Sequence, residues 1–166
     1  MHDVALERRD PVELLEEITR LRADVARLET KVAELDMLAH RDPLVPVANR
    51  RGMLRELEIM IARHERHGIP AAMLFVDLND LKLLNDEFGH MGGDAALVHV
   101  AEKLLAGTRA NDFVARLGGD EFCVLLDHAD EASAVETANR LIEGIACAEF
   151  LIEGTPMPLS VAIGVT

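Results

Sequence analysis

From Pro11 onward, apolar residues recur at alternating spacings of four and three: Leu14, Ile18, Leu21, Val25, Leu28, Val32 and Leu35. This is a heptad, with β-branched residues at one core position and leucine at the other, a distribution that favours a parallel two-stranded coiled coil. Asp10 can cap the helix, Pro11 fits its first turn and Glu13 completes a capping box. The helix is expected to run to about His40, a length of about 45 Å at the standard rise, before Pro43 and Pro46 stop it. Glu17 with Arg22 and Lys31 with Asp36 form opposite-charge pairs across such a dimer, while Asp24 with Glu29 is a like-charge pair. The alternative, an amphipathic helix laid on its own domain, needs a broader apolar stripe than this narrow seam.

The pattern then changes. Asn49 to His67 reads as a helix with Met53, Leu54, Leu57, Met60 and Ile61 on one face and Gly68 as its stop. Ala71 to Leu78 is a short apolar run with Asp77 near its end, the pattern of a buried strand. Leu81 to Phe88 reads as a short helix ended by Gly89, and Gly93 to Gly107 as a longer one. Phe113-Val114-Ala115 and Phe122-Cys123-Val124-Leu125-Leu126 flank a Gly-Gly turn as a hairpin. Glu131 to Ala146 is a further helix and Ser160 to Val165 a last strand. Helices alternating with short apolar strands predict an α/β or α+β sandwich, helices covering a sheet. The boundary between the helical 1–40 unit and the globular 41–166 unit falls near residue 41.

Composition narrows the function. A net charge of −13 argues against a phosphate-backbone binder, and five Phe with no Trp or Tyr leave little for base stacking, so nucleic acid is not an expected partner. No apolar run approaches a membrane span and no signal-peptide core opens the chain, which predicts a cytoplasmic protein. Cys123 and Cys147 sit in apolar contexts without metal-ligand spacing and read as two buried thiols.

The candidate chemistry lies in Arg116-Leu117-Gly118-Gly119-Asp120-Glu121-Phe122. The Gly118-Gly119 turn needs positive φ and lifts Asp120 and Glu121 to the tip of the sheet. Asp77 is expected on a neighbouring strand at the same end. Converging carboxylates are costly unless a cation joins them, and Mg²⁺ takes one or two carboxylates plus substrate phosphates. Lys82, at the start of the short helix, sits beside free amides and suits phosphate; taken alone it is an ordinary surface lysine. Asn85 and Asp94 are the right types to read guanine, but spacing alone does not separate that role from helix capping. Arg109-Ala110-Asn111-Asp112, an Arg-x-x-Asp, is by itself most often a surface ion pair.

Taken together these motifs resemble the GGDEF-domain diguanylate cyclases over about residues 38 to 166. The matching elements occur in order: Asp42-Pro43-Leu44 with Asn49-Arg50, Asp77 through Asp86, Gly89-His90 with Gly93-Asp94, and Arg116 through Phe122. The resemblance implies a nucleotidyl-cyclase, ferredoxin-like palm that condenses two GTP molecules into cyclic di-(3′→5′)-GMP with release of two pyrophosphates. It implies Asp77, Asp120 and the Leu78 carbonyl as ligands of a pair of Mg²⁺ ions in each half-site. Glu121 and Lys82 would serve catalysis, Gly118 and Gly119 would admit phosphate, and Asn85 and Asp94 would read guanine. It makes Arg109 and Asp112 an inhibitory product site for cyclic di-GMP. The two-fold symmetric product needs two domains face to face, so the coiled coil would make a homodimer, with a regulatory protein as a further expected partner.

Three departures from the family pattern stand out. Val45-Pro46-Val47 replaces the usual Thr-Gly-Leu, which alters the hinge. Asn79 stands where many members carry Asp, and Leu81 where many carry Phe. Family domains also continue past the last strand into a basic helix, whereas this sequence stops at Thr166; the exposed strand it would leave favours a sequence that is part of a longer polypeptide.

Overall fold

The computed structural model describes residues 10–166, and it divides into two compact units. The first ends at Leu38 and the second runs Ala39–Thr166. Residues 1–9 of the expected N-terminal unit lie outside the described residues.

Helix α1 spans Pro11–His40. Asp10 caps it by accepting the Val12 N–H at 3.0 Å. The residues of the predicted seam, Leu14 to Leu35, are 39 to 64% exposed. No residue of α1 is buried. Among the described residues nothing buries the apolar stripe, as for a seam awaiting a partner helix.

The second unit holds a five-stranded sheet in the order β1-β3-β4-β2-β7. The strands are β1 (Ala48–Asn49), β2 (Ala71–Leu78), β3 (Phe113–Gly118), β4 (Glu121–Asp127) and β7 (Val161–Val165). A small separate hairpin joins β5 (Leu151–Ile152) to β6 (Thr155–Pro156). The β1 pairing with β3 is parallel and the other pairings are antiparallel. Helices α3 (Leu81–Ala106) and α4 (Glu131–Ala146) cover one face of the large sheet, and α2 (Arg50–His67) covers part of the other.

Alternation along β2 explains the layers. Leu74, Val76 and Leu78 are almost fully buried and join Val100, Leu104 and Leu141 in the larger core. Their neighbours Met73, Phe75 and Asp77 face the other way. On that side a smaller cluster of Met53, Met60, Ala115, Cys123 and Leu125 sits under α2. Burial pushes the Cys123 thiol up to about 11.

Several expectations are refined. The two helices predicted around Gly89 form one helical run, broken at Gly89 with φ 72° and ψ 175°, so the second half starts sooner than Gly93. The short strands β1, β5 and β6 carry too few residues to show a period. The thiols are not both buried: Cys147 is exposed, because it lies just past the end of α4 where the chain leaves the core. Val45-Pro46-Val47 is not a loose hinge. Val45 and Val47 are core residues, and the Val47 N–H closes a tight turn onto the Val45 carbonyl at 2.8 Å.

Candidate active site

Strand register decides what the carboxylates can do. In the antiparallel pairing of β2 and β4, Asp77 lies directly opposite Glu121. Directly opposed residues share a face, with Cβ atoms about 5 Å apart. Both side chains are exposed, on the side of the sheet away from the α3 and α4 core. Two like charges so placed repel each other unless a cation lies between them. Asp120 sits in the turn rather than on a strand, and its backbone carbonyl accepts the Leu78 N–H at 3.1 Å. That bond brings the turn against the end of β2, so Asp77, Leu78, Asp120 and Glu121 gather at one end of the sheet. A depression of about 340 Å³ lined by Phe75, Asp77, Glu121, Ala162 and Gly164 opens beside them.

The turn is built from its glycines. Gly118 has φ 143° and Gly119 φ 56°, values that side chains rarely adopt. A Cβ at either position would meet nothing within 4 Å, so the backbone conformation rather than crowding requires glycine. The same openness leaves the turn accessible.

Oxygen donors dominate the site, which suits a hard cation such as Mg²⁺. Among the described residues, no three carboxylate, imidazole or thiolate groups converge closely enough to hold an ion unaided. The donor set therefore fits Mg²⁺ in its usual mode, one or two carboxylates with phosphate and water completing the shell.

Next to this cluster α3 begins. Asp80 precedes it in the left-handed region (φ 59°), and its side chain makes no capping bond. The first-turn amides thus keep no side-chain acceptor, and Lys82 stands exposed among them. Asn79 Nδ2 donates to Ser160 Oγ at 3.0 Å, tying β2 to the start of β7. Asn85, a turn further along α3, folds against Gly93, next to Asp94. A Cβ built on Gly93 would lie 2.1 Å from Asn85 Oδ1. The break at Gly89 thus brings together Asn85 and Gly93, eight positions apart.

Arg109 and Asp112 lie apart from these residues, in the loop between α3 and β3. Asp112 Oδ2 accepts the Arg109 N–H at 2.7 Å and its Oδ1 accepts the Asp127 N–H at 3.3 Å. Asp112 also lines a cavity of about 400 Å³ together with Arg41, Arg55 and Phe113.

Three motif residues with no role read from the sequence are structural ties, Arg116 and Asp42 at the site and Asn49 at the start of α2. Arg116 donates from Nε and Nη2 to the Gly119 carbonyl at 3.0 and 2.6 Å, and from Nη1 to Asp42 Oδ1 at 3.4 Å. Asp42 Oδ1 also accepts the Leu44 and Val45 N–H groups at 2.9 and 3.0 Å. The Gly-Gly turn is thereby fastened to the segment that leads into the domain. Asn49 caps α2 through the Arg51 and Gly52 N–H groups, and its Nδ2 donates to the Ala39 and Arg41 carbonyls at 2.9 and 3.0 Å. The available signal was Asn49 at the start of a predicted helix, a favoured cap position; nothing local marked Arg116 and Asp42 as partners.

Residues 39–166 match the family described as "Diguanylate cyclase, GGDEF domain". The chain belongs to the GGDEF domain family. Diguanylate cyclase DgcP of Pseudomonas aeruginosa is 31% identical over 153 residues, 92% of this chain and 23% of DgcP. This chain therefore spans about a quarter of that relative's length. A solved complex of a microbial GGDEF domain with bis-(3,5)-cyclic di-GMP is 33% identical with a TM-score of 0.67, covering 79% of this chain and 78% of that one. The coiled coil and GGDEF domain of DgcB from Caulobacter crescentus has a TM-score of 0.83 at 23% identity, covering 92% and 81%, a likeness of fold.

Proposed function

We propose that this chain is the catalytic portion of a diguanylate cyclase, which joins two GTP molecules into cyclic di-(3′→5′)-GMP and releases two pyrophosphates. The observation that carries the reading is the opposed pair Asp77 and Glu121, with Asp120 held beside them by the Leu78 N–H. The name of DgcP and the cyclic di-GMP complex of the 33% identical domain point the same way.

In this reading Asp77, Asp120 and the Leu78 carbonyl, with Glu121 beside them, hold Mg²⁺, two ions per half-site. Bound there with the triphosphate, Mg²⁺ supplies charge neutralisation and a more acidic attacking hydroxyl. The protein does the positioning. Lys82 and the uncapped amides of α3 receive phosphate oxygens. Gly118 and Gly119 let phosphate approach the backbone. Asp94 accepts from the guanine ring N–H and exocyclic amine, and the Asn85 amide takes a mixed donor and acceptor edge. Each domain binds one GTP and presents its 3′-hydroxyl to the α-phosphate held by the other. The α1 seams pair two copies into a homodimer and raise the effective concentration of one half-site near the other. Cyclic di-GMP inhibits through Arg109 and Asp112, and a regulatory protein on the coiled coil is a natural input. Among the described residues no helix is long and apolar enough to cross a membrane; we place the activity in the cytoplasm, with its GTP.

The test is incubation of the full chain with GTP and Mg²⁺, with products resolved by mass. The expected products are cyclic di-GMP and pyrophosphate, with Asp120→Ala slower by at least about a hundredfold. A chain that shows a GTP-dependent thermal shift yet forms no cyclic dinucleotide would instead be a nucleotide sensor.

A further inference from the structure

Gly93 lies in the first helical turn after the break at Gly89. Its backbone is helical, so no unusual φ calls for glycine. The reason is space. A Cβ there would stand 2.1 Å from Asn85 Oδ1, 2.9 Å from Cγ and 3.2 Å from Nδ2. The whole amide of Asn85 occupies the place of the missing side chain.

The nature of the obstructed atoms matters. At Gly52 the nearest atom to an added Cβ is the His40 backbone oxygen, at 2.7 Å, so a substitution there would push on the backbone. At Gly93 the obstructed group is the tip of a short side chain, which can turn away. An added methyl would therefore leave the helix standing and move the amide. Among the described residues no hydrogen bond holds that amide in place. Gly93 packing and the break at Gly89 are what set its position, one residue before Asp94.

We infer that Gly93 is a specificity-determining positioning residue: the space left by its absent side chain is the berth that holds the Asn85 amide in place to read a purine base beside Asp94. This rests on the reading in which Asn85 and Asp94 contact guanine.

The experiment is a double-mutant cycle in the full chain, Gly93→Ala, Asn85→Ala and both together, reading GTP and ATP affinity, kcat and melting temperature. Gly93→Ala is expected to weaken GTP about tenfold, the loss of about one hydrogen bond's worth of binding, with ATP affinity and kcat little changed. Asn85→Ala should lose as much, and adding Gly93→Ala to it should cost nothing further, because the obstructed amide is gone. Additive losses, or a Gly93→Ala chain with undiminished GTP preference beside a weakened Asn85→Ala, would overturn the inference and leave the guanine reading standing. An Asn85→Ala chain that binds GTP as before removes the guanine reading itself, and the inference with it. Should Gly93→Ala fail to fold, the double variant still decides: it folds if Asn85 is the obstruction, and its failure makes Gly93 a packing residue only.

Discussion

Both carboxylate oxygens of Asp112 accept backbone N–H groups, from Arg109 and from Asp127. Asp112 therefore shapes its loop whatever else it binds, and removing it would disturb the chain in two places. The Arg109 side chain is exposed and is the cleaner probe of product inhibition. Replacing Arg109 by Ala should leave the initial rate within about twofold, since it lies away from the Asp77 cluster, and abolish the plateau as cyclic di-GMP accumulates. A progress curve with its plateau unchanged would reject Arg109 as an inhibitory residue. At the same scale, the Arg116 guanidinium clamps the Gly119 carbonyl, and so the turn that bears Asp120.

Helix α3 also carries a titratable group, His99, outside the site. The ring of His99 lies 5.0 Å from that of Phe150, and its Nε2 is buried without a hydrogen-bond partner. Desolvation, then the nearby Lys103, lowers its pKa below the usual imidazole value, while Glu102 opposes the shift. The unfolded chain thus takes up a proton more readily than the folded one. Stability from this group is fully present above about pH 6.5 and declines as pH falls from there through the lowered folded value. Denaturant midpoints should drop between pH 7.5 and 5.5. His99→Phe should flatten that dependence and be no less stable at pH 7.5, because it removes a buried polar atom that lacks a partner. An unchanged slope in the variant would assign the pH dependence to other groups. Asp130, which caps α4 through Ser133, acts in the same sense at lower pH: its pKa is lowered chiefly by the Ser133 hydroxyl, so its contribution fades only as pH falls below the ordinary carboxylate range.

For the molecule as a whole, the proposed reaction calls for two copies of the chain. The exposed seam of α1 is the expected dimer contact. Burying a leucine is worth about 2 kcal/mol, so replacing Leu21 and Leu28 by Asp should weaken association by at least about a hundredfold. Sedimentation should show monomers at micromolar concentration, with specific activity falling in step. The unfolding of the 39–166 unit should stay unchanged, since these residues are exposed in the chain. A dimeric, fully active variant would move the dimer contact elsewhere.

Local pattern along the chain was enough for α1, α2, α4, the long central strands and the glycine turn, because these depend on periodicity, turn chemistry and glycine conformation. The heptad of α1, the alternation in β2 and the Gly118-Gly119 turn are all properties of neighbouring residues. Tertiary structure alone decided the pairings. Register set Asp77 opposite Glu121 and left Asp120 in the turn. The break at Gly89 carried Asn85 onto Gly93, and Arg116 reached Asp42, 74 positions away. Such contacts join residues remote in the chain, and no local pattern encodes the distance between them.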